Sequence, residues 1–431
     1  MLPRIAFALL LGAAATVQAA KPAKPSAAPV EIVFRHALSG EQAALLVELV
    51  DRFNAESKSA SVVLQHLSMA TDPHQLPHLA LLEDDEHQKF FDSHPRMLPL
   101  HKVMADAREP FDAASFFPVV ADVVDDNKGR IQALPMALSL PVLFYNKDTF
   151  RKAKLDPARP PATWWEVQEA AGKIFDVDRR CPLTSSNPAW VHLDNVSTQH
   201  GEPIAQSERG GKTSLALNSL VQVKHVALLA SWHKSFYFHY FGPGREADEK
   251  FLSGHCAMLT GDSALYRELA RRKPFDFGVA DLPHYDDVRG AAPGRVLPDG
   301  AALWVLAGKK KPEYAVAARF VSFLLRPEVQ KQWVRASGYL PMTATAADAL
   351  LADSPAPEVL RQAVRRLSDR KYASAAKPKT VVGMSRVRAI LHEELEAVWA
   401  NRKPAKEALD TAVRRGDSVL QPAPTDGTVA K

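Results

Sequence analysis

Two rhythms of apolar and polar residues take turns along this chain. Glu31–Phe34 (EIVF) reads as a strand. From Glu41 to Glu56, Leu45, Leu46, Leu49, Val50 and Phe53 recur at helical spacing, and Ser61–Leu67 returns to a strand pattern. A strand–helix–strand opening predicts an α/β unit on a mainly parallel sheet. His78–Leu82 continues as a short strand that ends at Glu83-Asp84-Asp85. Further on, Gln132–Tyr145 is a long apolar run broken at Asn146-Lys147-Asp148, long enough to pass from one lobe into another. Thr163 with Glu166 forms a capping box and starts a helix. Leu215–Leu229, Tyr314–Leu325, Pro327–Ser337 (stopped by Gly338), Arg386–Ala400 and a last segment from Pro404 to about Leu420 read as helices. Phe277–Leu282 and Ala301–Leu306 read as strands.

Composition narrows the class. With 431 residues, 46% hydrophobic and 24% charged, the chain is globular and long enough for two or three domains. The net charge of +5 is spread over interspersed residues of both signs, with no basic block of the nucleic-acid type. Arg4, the apolar run Ile5–Ala15 and Val17-Gln18-Ala19 read as a signal peptide over residues 1–19. A flexible Pro/Ala/Lys lead-in follows over 20–30. No cysteine follows the leader, so no lipid anchor is expected. Cys181 and Cys256 permit one disulfide or two buried thiols equally well.

The segment PVLFYNKDTF (Pro141–Phe150) resembles the crossing strand of periplasmic solute-binding proteins of ABC importers. RFNAE (Arg52–Glu56), GHCAM (Gly254–Met258), GAALWV (Gly300–Val305), SGYLPMT (Ser337–Thr343), EELEAVW (Glu393–Trp399) and ALDTAVRRGDSVL further resemble the glycerol-3-phosphate-binding members of extracellular solute-binding protein family 1. The resemblance runs from Ile32 to Leu420. It implies a two-lobed α/β fold with discontinuous lobes, a hinge and a central cleft. The expected first lobe is 31–138 plus about 263–330, the second 139–262 plus about 331–420, with a frayed tail over 421–431.

By position in that family, phosphate is held by Ser139, Gly300, Tyr339 and Arg388. The chemistry suits those types: Arg388 offers a planar fork of charged donors, Ser139 and Tyr339 add neutral hydroxyls, and Gly300 lets its N–H approach an anion. The polyol end departs from the family. Its two-tryptophan element reads Asn187-Pro188-Ala189-Trp190, so only Trp190 remains. The chain is shorter between Val63 and His78 and lacks the first-lobe tyrosine, and Arg35-His36-Ala37 replaces the usual entry. The first-lobe carboxylate aligns with Glu83 or Asp84. The family's serine is replaced near Asp262-Ser263, where an aspartate disfavours an anion unless Arg388 or Arg35 offsets it.

The resemblance thus implies a periplasmic, monomeric, non-enzymatic binding protein without cofactor or metal. It captures sn-glycerol 3-phosphate or a glycerophosphodiester and delivers it to a two-subunit membrane permease driven by a cytoplasmic ATPase. A sugar binder of the same fold would instead stack rings on Trp190 and on the aromatics Phe236–Phe241. An exported hydrolase is the third class. His66, His74, His78 and His87 near the acidic run fit no metal-ligand spacing, and neither HExxH nor GxSxG is present.

Overall fold

The computed structural model describes residues 29–66, 76–83, 97–126, 128–207, 213–292, 295–352, 357–369 and 384–420. The leader, Asp84, His74, His87 and the tail after 420 lie outside the described residues. Two separate sheets, each wrapped by helices, form the lobes. The first sheet runs Ala60–His66, Val30–His36, Leu79–Leu82, Asp299–Leu306 and Met97–Leu98, with Leu134–Ser139 also paired to Asp299–Leu306. Its opening three strands are parallel, as the strand–helix–strand pattern requires, and Asp299–Leu306 runs against them. Gly40–Glu56 buries Leu45, Leu46, Leu49, Val50 and Phe53, the stripe read from periodicity.

The second sheet runs Phe238–His239, Cys181–Ser185, Cys256–Asp262, Pro141–Asn146 and Phe277–Asp281. Thr163 caps Trp164–Val177: its hydroxyl accepts from the Glu166 N–H at 3.2 Å, and Glu166 Oε2 accepts from the Thr163 N–H at 3.0 Å. Cys181 and Cys256 face each other in register on adjacent parallel strands and are joined as a disulfide. The helix read over Leu215–Leu229 starts later, at Leu220, because Ser219 and Gln222 form its capping box, and it continues to Lys234.

Two lobe boundaries differ from the expected ones. Phe277–Asp281 pairs antiparallel with the crossing strand Pro141–Asn146, and Leu265 and Leu269 pack on Phe144 and Leu259, so 265–282 belongs to the second lobe. Conversely, Val329, Trp333, Leu340, Leu350, Leu360 and Leu367 join the first lobe's core, so 327–352 and 357–368 belong there. Described again from residue 384, the chain is in the second lobe, where Val387, Leu391, Leu395 and Leu409 are buried. GHCAM opens a strand inside the second sheet. The chain touches the first lobe again only after Asp262, at Ser263.

The second lobe's core encloses a polar chain. His192 Nδ1 lies 2.9 Å from His225 Nε2, and His225 Nδ1 lies 2.8 Å from the Tyr285 hydroxyl. One ring N–H donates into its neighbour's lone pair, so the two rings cannot both be charged, and complete burial disfavours a charge on either. Burial holds His192 down to about 3 and His225 well below the ordinary histidine value. Unfolded, both bind protons near pH 6.5, so stability is full above that pH and falls as pH drops through the window below it. Urea unfolding of the purified protein at pH 7 and pH 5 should differ by about 4 kcal/mol from these two rings. A flat profile over that range would contradict the neutral pair.

Candidate functional site

The cleft is built around the point where the crossing strand leaves one sheet for the other. Leu134–Ser139 ends in the first sheet, Leu140 intervenes, and Pro141–Asn146 begins in the second. Both backbone groups of Leu140 are taken by one residue: its N–H donates to Ser263 Oγ at 3.0 Å, and its carbonyl accepts from the Ser263 N–H at 2.9 Å. Ser263, expected near the ligand, is thus a hinge fastener, only 2% exposed.

On the other side, Asp299 and Gly300 pair with Ser139 and Leu138. Gly300 has φ +138°, and a Cβ there would sit 1.5 Å from the Ala137 carbonyl oxygen, so no other residue fits. Tyr339 arrives by the antiparallel bridge Leu138–Leu340, whose N–H to Leu138 carbonyl bond is 2.8 Å. Its ring stacks on Trp333 with centroids 6.2 Å apart. Ser139, Gly300 and Tyr339 are therefore fixed to two consecutive residues, Leu138 and Ser139. The donors expected to face an anion are occupied by Asp299: the Gly300 N–H donates to Asp299 Oδ1 at 2.8 Å, and Ser139 Oγ donates to the Asp299 carbonyl at 3.3 Å. An arriving anion must take these donors from Asp299.

Arg388 and Trp190 come from the second lobe. Trp190–Asn195 is a π-helical turn, a form that recurs at functional sites. Asp194 within it is 1% exposed and accepts from Arg388 Nη2, whose side chain is 18% exposed. Trp190 donates its indole N–H to the Leu297 carbonyl at 3.0 Å, and Leu297 N–H donates to Asn195 Oδ1 at 2.7 Å. The same turn therefore grips Arg388 and the segment leading into Gly300. Trp190 is 5% exposed and its polar edge is used, which leaves it little face for stacking on a solute.

Between the lobes lies a cleft of about 570 Å³, lined among others by Glu83, Tyr339, Arg245 and Asp248. Here the expected offset of Asp262 is corrected. Arg35 donates its Nε to Gln65 at 3.1 Å, and Arg388 binds Asp194. Arg245 instead meets Asp262, through Nη1 to Oδ2 at 3.0 Å, and Asp248, through Nε to Oδ2 at 2.9 Å. Burial raises the Tyr339 hydroxyl well above its ordinary value, and the charges of Asp262 and Glu83 add to this while Arg245 opposes it. Tyr339 is thus a donor at any physiological pH. Arg245, Asp194 and Asp299 went unnoticed in the sequence. Arg245 had one local signal, the Gly242-Pro243-Gly244 turn before it; the partners of the other two are remote. Of the histidines near the acidic run, His78 pairs with Glu313 at 3.5 Å and accepts from the Val33 N–H at 2.9 Å. Among the described residues no group of three His, Cys, Asp or Glu side chains is placed to hold a metal.

Residues 91–359 match the family described as bacterial extracellular solute-binding protein. The sn-glycerol-3-phosphate-binding periplasmic protein UgpB of Pectobacterium atrosepticum is 32% identical over 427 residues, 95% of each chain. The protein of that name from Salmonella typhimurium is 37% identical over 333 residues, 75% of each chain. Among solved structures, UgpB of Mycobacterium tuberculosis in complex with glycerophosphocholine has the same fold (TM-score 0.72, 20% identity, 90% of this chain and 98% of that one). So does a cyclic alpha-maltosyl-1,6-maltose binding protein from Arthrobacter globiformis (TM-score 0.70, 21% identity, 91% and 99%).

The Arg388–Asp194 pair gives a prediction that needs no ligand. Arg388→Ala leaves the Asp194 charge buried without its guanidinium, which should lower ligand-free stability by about 3 kcal/mol. Urea unfolding measures this directly. A loss below about 1 kcal/mol would mean that water replaces the guanidinium and the pair is not a fixed part of the site.

Proposed function

We propose, for a chain that belongs to the bacterial extracellular solute-binding protein family, that it captures a glycerol phosphate between its lobes for an ABC importer. The ligand is sn-glycerol 3-phosphate or a glycerophosphodiester. The observation that carries this reading is the convergence of Ser139, Gly300 and Tyr339 on the strand crossing, beside a second-lobe turn that holds Arg388. Two hydroxyls, one backbone N–H and one guanidinium make a donor set for a phosphate group. Glu83, which lines the cleft from the first lobe, leaves an acceptor for the polyol end. Asp84, adjacent in sequence, shares that assignment.

The work of the site is capture. A phosphate takes the Gly300 N–H and the Ser139 hydroxyl from Asp299, both lobes contribute contacts, and rotation about Leu140–Ser263 encloses the solute. The closed form then docks on a membrane permease powered by a cytoplasmic ATPase. The leader read over residues 1–19 delivers the protein to the periplasm, where it works as a monomer. A sugar-binding reading has less support: Trp190 is buried with its N–H engaged and Phe238 is fully buried, although Phe236 is 60% exposed.

Calorimetry of the purified protein with sn-glycerol 3-phosphate, glycerophosphocholine, maltose and inorganic phosphate tests the reading. One of the two glycerol phosphates should bind, and Arg388→Ala should weaken it roughly 30-fold. Binding of maltose, or of none of the four, would overturn it.

A further inference from the structure

The second-lobe wall of the cleft carries a charge cluster that phosphate capture does not use. Arg245 joins two carboxylates, Asp248 and Asp262, each 7% exposed. Their other oxygens are also engaged: Ser186 Oγ donates to Asp248 Oδ1 at 2.5 Å, and the Ala264 N–H donates to Asp262 Oδ1 at 2.7 Å. All four oxygens accept hydrogen bonds, and one guanidinium set against two carboxyl groups leaves this cluster, taken by itself, with more acid than base. Glu83 lines the same cleft and adds another carboxyl group. The other cations bring no surplus: of the cleft-lining arginines, Arg267 is paired with Glu41, Arg271 with Glu268 and Arg272 with Glu249, and Arg388 is matched by Asp194. Arg245 spends its Nε and one Nη1 proton on the aspartates, and a guanidinium has five.

We infer that Asp262, acting with Arg245, sets the charge selectivity of the cleft: it favours singly charged phosphodiesters over doubly charged phosphate monoesters. This inference rests on the glycerol-phosphate reading above and narrows its ligand. The hydrogen bonds that a phosphate accepts from Ser139, Gly300, Tyr339 and Arg388 are available to both ester types. What separates the two is the second negative charge, which a monoester brings near neutral pH and a diester lacks, and which meets two largely buried aspartates that share one guanidinium. Removing the Asp262 charge leaves Arg245 facing a single carboxylate, and the penalty on a second ligand charge falls. Removing Arg245 leaves two buried carboxylates unopposed, and the penalty grows.

Calorimetry at neutral pH with sn-glycerol 3-phosphate and its methyl phosphodiester isolates the effect, because the two ligands differ by one methyl group and one charge. The wild-type protein should bind the diester more tightly. Asp262→Asn, which keeps an acceptor for the Ala264 N–H, should shift the affinity ratio toward the monoester roughly tenfold. Asp262→Ser should move it the same way, and Arg245→Met the opposite way. Circular dichroism melts establish which variants are folded, and either Asp262 variant suffices. An unchanged ratio in a folded Asp262 variant, or a wild-type preference for the monoester, overturns the inference and leaves the proposed function standing. Failure of the wild-type protein to bind either ester overturns the proposed function itself.

Discussion

Leu140 is where the two sheets meet, and both of its backbone groups are committed to Ser263. A buried N–H or carbonyl has to be paired, so the passage between lobes is confined to a geometry that keeps these two bonds. Everything else at the cleft is measured from that fastening. Residues 138 and 139 precede it and set the places of Gly300, Tyr339 and the Ser139 hydroxyl. Pro141–Asn146 follows it and carries the strands whose ends present Asp262 and Asp281. A rotation of one lobe therefore turns about a fixed residue, and the donor cluster stays with the first lobe while Arg388 and Arg245 travel with the second.

The electrostatics follow a single theme. The guanidinium groups of the site are bonded to carboxylates: Arg388 to Asp194 and Arg245 to Asp248 and Asp262 within the second lobe, and Arg267 to Glu41 across the cleft. Even the Gly300 N–H holds a carboxylate, that of Asp299. Such pairing fixes side chains that would otherwise sample many rotamers, and so lowers the ordering cost of binding. It also prevents the cleft from attracting anions indiscriminately. Selectivity then comes from geometry and from the small residual charge.

Much of this was legible in the sequence wherever local rules decide. The stripe Leu45–Phe53, the Thr163/Glu166 cap, the stop at Gly338 and the crossing strand at Pro141 all depend on neighbours within a turn or two. The lobe assignment of 265–282, 327–352 and 357–368 was not legible, because periodicity identifies a strand or helix but not the sheet it joins. The same limit hid the charge pairs. Asp262 was visible as an unwelcome carboxylate, yet its partner lies 17 residues away across two elements, and Asp194 lies 194 residues from Arg388. The disulfide stayed open for the same reason, since Cys181 and Cys256 meet only through the register of two parallel strands. Ser263 shows the same limit, because a serine's hydroxyl serves a ligand or a backbone equally well and its bond to the Leu140 N–H forms across 123 residues of sequence.

The central claim is that an anionic phosphoryl group sits against the crossing of the chain. A crystal structure of the protein with a bound glycerophosphate ester tests it most directly. The account predicts phosphate oxygens within hydrogen-bond distance of the Ser139 hydroxyl, the Gly300 N–H, the Tyr339 hydroxyl and the Arg388 guanidinium, with the Asp299 carboxylate displaced from Gly300. A phosphate held elsewhere in the cleft, with Asp299 still on the Gly300 N–H and Arg388 bonded to Asp194 alone, would contradict it.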